Sequence, residues 1–356
     1  MKNPMPPEES LRVLREGTVI PASPLALDEQ RNWDKRHQAG VYRYYAAAGS
    51  GGIAVGVHTT QFEIRDPGHG LFEPLLRFAA EEIDALSKYH SRRIVRIAGA
   101  CGHTEQATAE ASLASELGYD AVLLSLAALS GVPEQDVLAH CRAVAERAPL
   151  IGFYLQPSVG GRHLSYDFWR RFADIQNVVA IKIAPFDRYR TIDVLRAVAE
   201  SGRDEEISLY TGNDDNIIAD LLTPFEFDTP AGTRRVDIVG GLLGQWSVWT
   251  YSFVMLLEEI RRAKENEHAH LDLLVRNGEL TDANAAVFDA ANGFAGCIPG
   301  INEVLRRQGL LPSANCLDPA LCLSPGQSEE LDRVQRAYSW LPDDEFVQNH
   351  LADWLS

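Results

Sequence analysis

Short β-branched or aliphatic runs alternate along this chain with longer stretches of helical period, and this alternation constrains the fold more than any other feature. Eight runs read as strands: residues 17–21, 52–57, 93–98, 121–126, 150–155, 178–184, 207–211 and 236–241. Between them, segments such as 168–175 and 192–199 carry apolar residues three and four apart, the spacing of amphipathic helices. Eight βα units predict an α/β chain closed into a (β/α)8 barrel. An open doubly wound sheet gives the same alternation. Two features favour the barrel: no GxGxxG follows the first strand, and polar or ionisable residues recur at the C-terminal ends of several strands, where barrel enzymes place their chemistry. From about Trp246 onward the pattern is helical, with breaks near Gly278, around 296–300 and over 312–325. The expected organisation is a barrel over residues 1–245 and a helical C-terminal region over 246–356 packed on it.

With 356 residues and 46% hydrophobic content, the chain can bury a large core. Its net charge of -17 argues against a nucleic-acid partner, because phosphate binding needs clustered cations and the pairs Arg92-Arg93, Arg234-Arg235, Arg261-Arg262 and Arg306-Arg307 are scattered. Five cysteines without CxxC spacing suggest neither a disulfide framework nor a zinc site, and fit a reducing compartment. The first residues, MKNPMPPEES, carry prolines and acids where a secretory signal has an apolar run, and no apolar stretch approaches about 18 residues. A cytoplasmic protein with no membrane partner is expected.

Strand parity supplies the chemistry. In VVAIKIA, alternation sends Val179, Ile181 and Ile183 outward and leaves Val178, Ala180, Lys182 and Ala184 facing in, which puts an ammonium near the C-terminal mouth of the barrel. The same reading of LIGFYLQP sends Ile151, Phe153 and Leu155 outward and turns Gly152, Tyr154 and Gln156 inward, so Tyr154 is expected beside Lys182. A neutral lysine attacks a 2-oxo acid and the resulting iminium stabilises a carbanion at the adjacent carbon, while a phenol can carry the protons. The alternative is a lysine bridging carboxylates and a core tyrosine. Asp214 and Asp215 offer a metal site as a weaker reading, with His58 as partner of Asp214, against ordinary loop capping. Gly240, Gly241 and Gly244 suit close backbone approach at the last strand.

Four stretches, VIPASPLALDE, VGVHTT, FYLQPSVGGRHLS and VVAIKIAPFD, with YTGNDD at the seventh strand, make the chain resemble the dihydrodipicolinate synthase and N-acetylneuraminate lyase superfamily of Schiff-base aldolases, from about Gly17 to the end. The resemblance implies Lys182 as the Schiff-base lysine, Tyr154 as the proton-relay tyrosine, Thr60 as the relay's hydrogen-bond partner and Thr59 as a ligand of the substrate carboxylate. It also implies a substrate-binding role for Gly212, Asn213 and Gly241. His58 stands where the family has glycine, as a candidate specificity residue. The implied substrate is pyruvate or another 2-oxo acid, with an aldehyde as second partner, no cofactor and no metal, in a homodimer or homotetramer. Two departures argue against a true dihydrodipicolinate synthase. Val159 stands where the synthases bind a carboxylate with arginine, and Leu126-Ala127-Ala128-Leu129 replaces the segment that gives a neighbouring subunit its second tyrosine. A non-catalytic 2-oxo-acid binder on the same fold is the alternative function.

Overall fold

The computed structural model describes residues 4–265 and 271–356. The chain is an α/β protein of the (β/α)8 barrel class whose last strand is followed by helices. The strands are β1 (Val19–Pro21), β2 (Gly52–Val55), β3 (Val95–Ala100), β4 (Ala121–Leu124), β5 (Leu150–Leu155), β6 (Val178–Ala184), β7 (Ser208–Thr211), β8 (Pro224–Thr229) and β9 (Gly232–Leu243). All eight expected strands are present within a few residues of the runs read from the sequence. The addition is β8, an antiparallel partner that pairs Pro224–Thr229 with Asp237–Gly232 ahead of the last parallel strand. Its residues alternate between exposed and half-buried, so it carries no buried stripe for a sequence pattern to reveal.

The described residues form two compact units. One comprises the described residues up to Thr18 and Val95–Gly241. Within it, β3, β4, β5, β6, β7 and β9 pair in that order, all parallel. Of these, β5 and β6 are apolar at nearly every position, as expected where both faces are covered. Helices Tyr166–Phe172 and Arg188–Ser201 follow β5 and β6. Each begins at a side-chain cap, Ser165 accepting from the Phe168 amide at 3.1 Å and Asp187 from the Arg190 amide at 3.1 Å. The first of them lies so close to β5 that a Cβ on Gly152 would stand 2.7 Å from Phe172 and 3.2 Å from Trp169. Gly152 therefore marks the helix-facing side of β5.

The other unit comprises Val19–Ile94 and Leu242–Ser356. Here β1 and β2 run side by side, bridged in parallel at Ala22 and Ala54. The helical character expected from Trp246 onward is present: helices Thr250–Glu265, Leu271–Val287, Cys297–Arg307, Gln327–Ala337 and Asp344–Trp354. Gln327–Ala337 starts after Ser324-Pro325-Gly326 with Glu329 and Glu330 in its first turn, favourable at the positive end of the helix dipole. The unit's core is aromatic, with Tyr44, Tyr45, Trp246, Trp249 and Phe253 buried. Asp343 ties it together, accepting from the Tyr44 hydroxyl at 2.7 Å, the Gln308 amide at 2.8 Å and the Tyr251 N–H at 3.1 Å. No helix among the described residues is long and apolar enough to cross a membrane.

Candidate functional site

Lys182 projects from the C-terminal half of β6. In parallel pairing, residues in register share a face, and Lys182 is in register with Phe153 of β5 and Tyr210 of β7. Ile183, one position on, is in register with Tyr154 and Thr211. Lys182 is half-buried among buried strand neighbours, so its amine is shielded yet reachable. Its Nζ stands 4.3 Å from the Phe153 ring centroid, a cation–π contact.

This register corrects the expectation for β5. Gly152 faces the helices, so Phe153 faces away from them with Lys182, and Tyr154 returns to the helix side. There its ring packs 5.2 Å from Trp169. Its hydroxyl donates to the Leu164 carbonyl at 3.1 Å, accepts from the Leu164 N–H at 3.2 Å and meets Arg190 at 3.5 Å. A phenol so placed pins the segment that leads into helix Tyr166–Phe172. It does not stand beside Lys182. Tyr210 shares the lysine's face, but its hydroxyl donates to the Leu14 carbonyl at 2.8 Å.

The loop after β7 does meet the lysine. A Cβ on Gly212 would fall 2.8 Å from Lys182 Cε and 2.8 Å from Ala184 Cβ, so only glycine lets the chain pass over the lysine's stem. Asn213 fixes that passage. Its Oδ1 accepts from the Phe186 N–H at 3.0 Å, and its Nδ2 donates to Thr191 Oγ1 at 3.2 Å and to Asp220 Oδ2 at 3.0 Å. Buried Asp220 also receives the Thr211 hydroxyl at 2.6 Å and an ion pair from Arg188. The Asn213 side chain thus ties the loop after β7 to the segment after β6 and to Asp220. Phe186, held at φ 53°, lies in the left-handed region that a bulky residue occupies only under constraint.

Two residues beyond Gly212 comes Asp214, whose Oδ1 is buried. Burial pushes its carboxyl up to about 8, the Lys182 charge opposes that rise and the Asp215 charge adds to it. An acid and an amine that interact in a shielded place are chemically useful, because one proton can reside on either. The sequence weighed Asp214 as a metal ligand. Among the described residues no group of three or more His, Cys, Asp or Glu side chains is placed to hold a metal ion. Gly241 is buried at the end of β9, in register with Thr211, its N–H donating to the Thr18 carbonyl at 3.3 Å.

In the second unit, His58, Thr59 and Thr60 form a single 3-10 turn after β2. The Thr60 hydroxyl donates to the Ser23 carbonyl at 2.7 Å and accepts from the Gly56 and Val57 amides at 3.0 and 3.3 Å. A hydroxyl has one donor and two acceptor sites, so Thr60 has none left for a relay, and its part is to hold the turn. Thr59 is buried, its hydroxyl bordering Gly244. His58 lines a cavity of about 130 Å³ with Phe62, Glu63, Phe294, Cys297 and Leu321.

Residues 74–224, which include Tyr154, Lys182 and Asp214, match the model of the dihydrodipicolinate synthetase family. Over these residues the chain is similar to that family. The 4-hydroxy-tetrahydrodipicolinate synthase of Acaryochloris marina is 31% identical over 144 residues, which is 39% of this chain and 46% of that protein. The chain spans about half the length of the curated relatives it matches in this way. Among solved structures, YagE, a prophage protein of the dihydrodipicolinic acid synthase family from E. coli K12 in complex with pyruvate, superposes with a TM-score of 0.71 at 17% identity, covering 90% of this chain and 98% of its own. CdNal from Clostridium difficile, in complex with mannosamine, superposes with a TM-score of 0.69 at 16% identity, covering 90% and 99%. At such identities the two likenesses speak to the dihydrodipicolinate synthetase fold alone.

Proposed function

We propose that this protein is a Schiff-base-forming lyase or aldolase that acts on pyruvate or another 2-oxo acid through Lys182, with an aldehyde as second partner. The observation that carries the reading is the placement of Lys182: half-buried on the face of β6 turned from the helices, over the Phe153 ring, with its charge acting on the buried carboxyl of Asp214. Carbonyl addition requires the neutral amine, so the reading needs a group that takes the lysine's proton. The family match over residues 74–224 and the pyruvate complex of YagE support a 2-oxo acid as the electrophile. Gly241, in register with Thr211 of β7, remains a proposed substrate contact. Val159, in the turn Pro157–Val159, offers no cation for a second carboxylate, so the acceptor is proposed to differ from that of dihydrodipicolinate synthases. Five free cysteines accord with a reducing cytoplasm as its place of work.

The test is imine trapping. Borohydride added to the protein with pyruvate, 2-oxobutyrate or 2-oxoglutarate converts an imine to a stable amine, and the intact mass then rises by the reduced acid. No mass gain with any of the three contradicts the reading. A second reading, a binder of 2-oxo acids without turnover, is favoured by one observation: the hydroxyls of Tyr154 and Thr60 are committed to backbone groups. Exchange of the acid's C3 protons with solvent separates the two, since an enzyme that forms an enamine exchanges them and a passive binder does not.

A further inference from the structure

We infer that Asp214 is the group that moves protons at Lys182, taking the part the sequence assigned to Tyr154. The inference rests on the Schiff-base reading of Lys182 and deepens it.

Three observations support it. The two tyrosines on the strands flanking β6, Tyr154 and Tyr210, have their hydroxyls held by backbone groups, the first on the far face of the sheet and the second by Leu14. On the β5 side, Lys182 Nζ meets the Phe153 ring, which neither gives nor takes a proton. On the β7 side, the chain crosses the lysine's stem at Gly212 and reaches Asp214 two residues later, on a loop fixed by Thr211, Asn213 and Asp220. Backbone held this firmly keeps a side chain on target without a cost in ordering during reaction.

The proton accounting closes with this one carboxyl. The neutral amine of Lys182 adds to C2 of the 2-oxo acid, a C–N bond forms and the carbonyl π pair moves to oxygen. That oxygen takes the proton of the Asp214 carboxylic acid, and the carboxylate recovers one from the ammonium nitrogen, which gives a neutral carbinolamine. Asp214 then protonates the hydroxyl, which leaves as water while the nitrogen lone pair forms the iminium. The carboxylate finally accepts a proton from C3, and the C–H pair moves into the enamine. Asp214 ends protonated, as it began. Its environment suits the task, since burial raises the carboxyl toward neutrality and the Lys182 charge limits the rise. The other charges around the loop are Asp215, which adds to the rise at Asp214, and the Asp220–Arg188 pair behind it.

The test uses the full chain and two probes, pyruvate and 2-oxobutyrate, with two readouts. Borohydride trapping reports the imine, and NMR in deuterated water reports C3 proton exchange across pH 6 to 10, a range set about the Asp214 value of about 8. The wild type should trap an adduct, and its exchange should fall as pH rises through the loss of the proton that the pair shares. Asp214→Asn should still give adduct after long incubation, exchange about 100-fold more slowly and lack that alkaline limb. Asp214→Glu should restore the limb with a shifted midpoint, which a purely structural role does not predict. Wild-type exchange rate and limb in Asp214→Asn, or an unshifted limb in Asp214→Glu, would overturn the inference while leaving the imine intact. Absence of wild-type adduct with both probes would overturn it differently, by removing the Schiff base on which it rests.

Discussion

Replacing Tyr154 by Phe separates a proton relay from a structural phenol, and the geometry predicts the structural outcome. The hydroxyl serves the N–H and the carbonyl of Leu164, a buried residue. Removing it strands two backbone groups, each costing about 1–3 kcal/mol if wholly orphaned, and partial relaxation brings the expected total to about 2 kcal/mol. Unfolding entropy of about 2.1 cal/mol/K per residue over 356 residues gives roughly 0.75 kcal/mol/K for a single cooperative transition. The melting temperature should therefore fall by roughly 3 °C. Because Tyr154 shares a strand face with neither Lys182 nor Phe153, C3 proton exchange per folded molecule should stay within about twofold of wild type. Calorimetry and NMR exchange on one preparation suffice. A loss of exchange of about 100-fold or more at an unchanged melting temperature, the size expected of general acid–base catalysis, would refute the register argument.

Gly212→Ala drives a methyl to 2.8 Å from Lys182 Cε, so it should reduce the rate of adduct trapping at least about tenfold while costing about 1–3 kcal/mol in denaturant unfolding, the usual penalty for overpacking. An unaltered trapping rate would show that the loop does not constrain the lysine. His140, whose Nδ1 lies 2.9 Å from Thr104 Oγ1, is held below its usual 6.5 by burial first and by the His103 charge second. The folded state then binds fewer protons at this site than the unfolded chain, so its contribution is present above 6.5 and is lost as pH falls below that value through the folded pKa. Urea midpoints should decline less below pH 6.5 in His140→Gln than in wild type, and parallel declines would contradict this. Self-association into a homodimer or homotetramer is expected, given exposed Met255, Leu271, Leu274 and Val275. Light scattering that reports a monomer at every concentration tested would contradict it.

The sequence made the parallel strands legible because each is a compact aliphatic run between turn signals. It also gave the correct face for Lys182, since a lysine in VVAIKIA sets the phase of the alternation by itself. In LIGFYL no charged residue sets the phase, and a register shift between Leu150 and Ile151 breaks simple counting. Gly152 was the available signal, because a strand glycine marks close approach of another element, here Phe172 and Trp169. Phe153 was missed with it. Thr60 and Asn213 were legible as polar residues at strand ends, but their use depends on Ser23, 37 residues away, and on Thr191, 22 away, which no local pattern reveals. Asp214 reads in the sequence as a loop-capping carboxylate, with a metal site as the weaker alternative, since its relation to Lys182 exists only once β6 and β7 lie side by side. The His58 cavity joins residues 58–63 to 294–299 and is invisible to local reading for the same reason.

The central claim is that Lys182 is the nucleophile. Peptide mapping of protein reduced with borohydride in the presence of pyruvate tests it most directly. The reduced pyruvyl group should be found on the peptide that contains Lys182, and Lys182→Arg, which keeps the charge but removes the attacking amine, should take up none. An adduct on another lysine, or equal labelling of Lys182→Arg, would contradict the account.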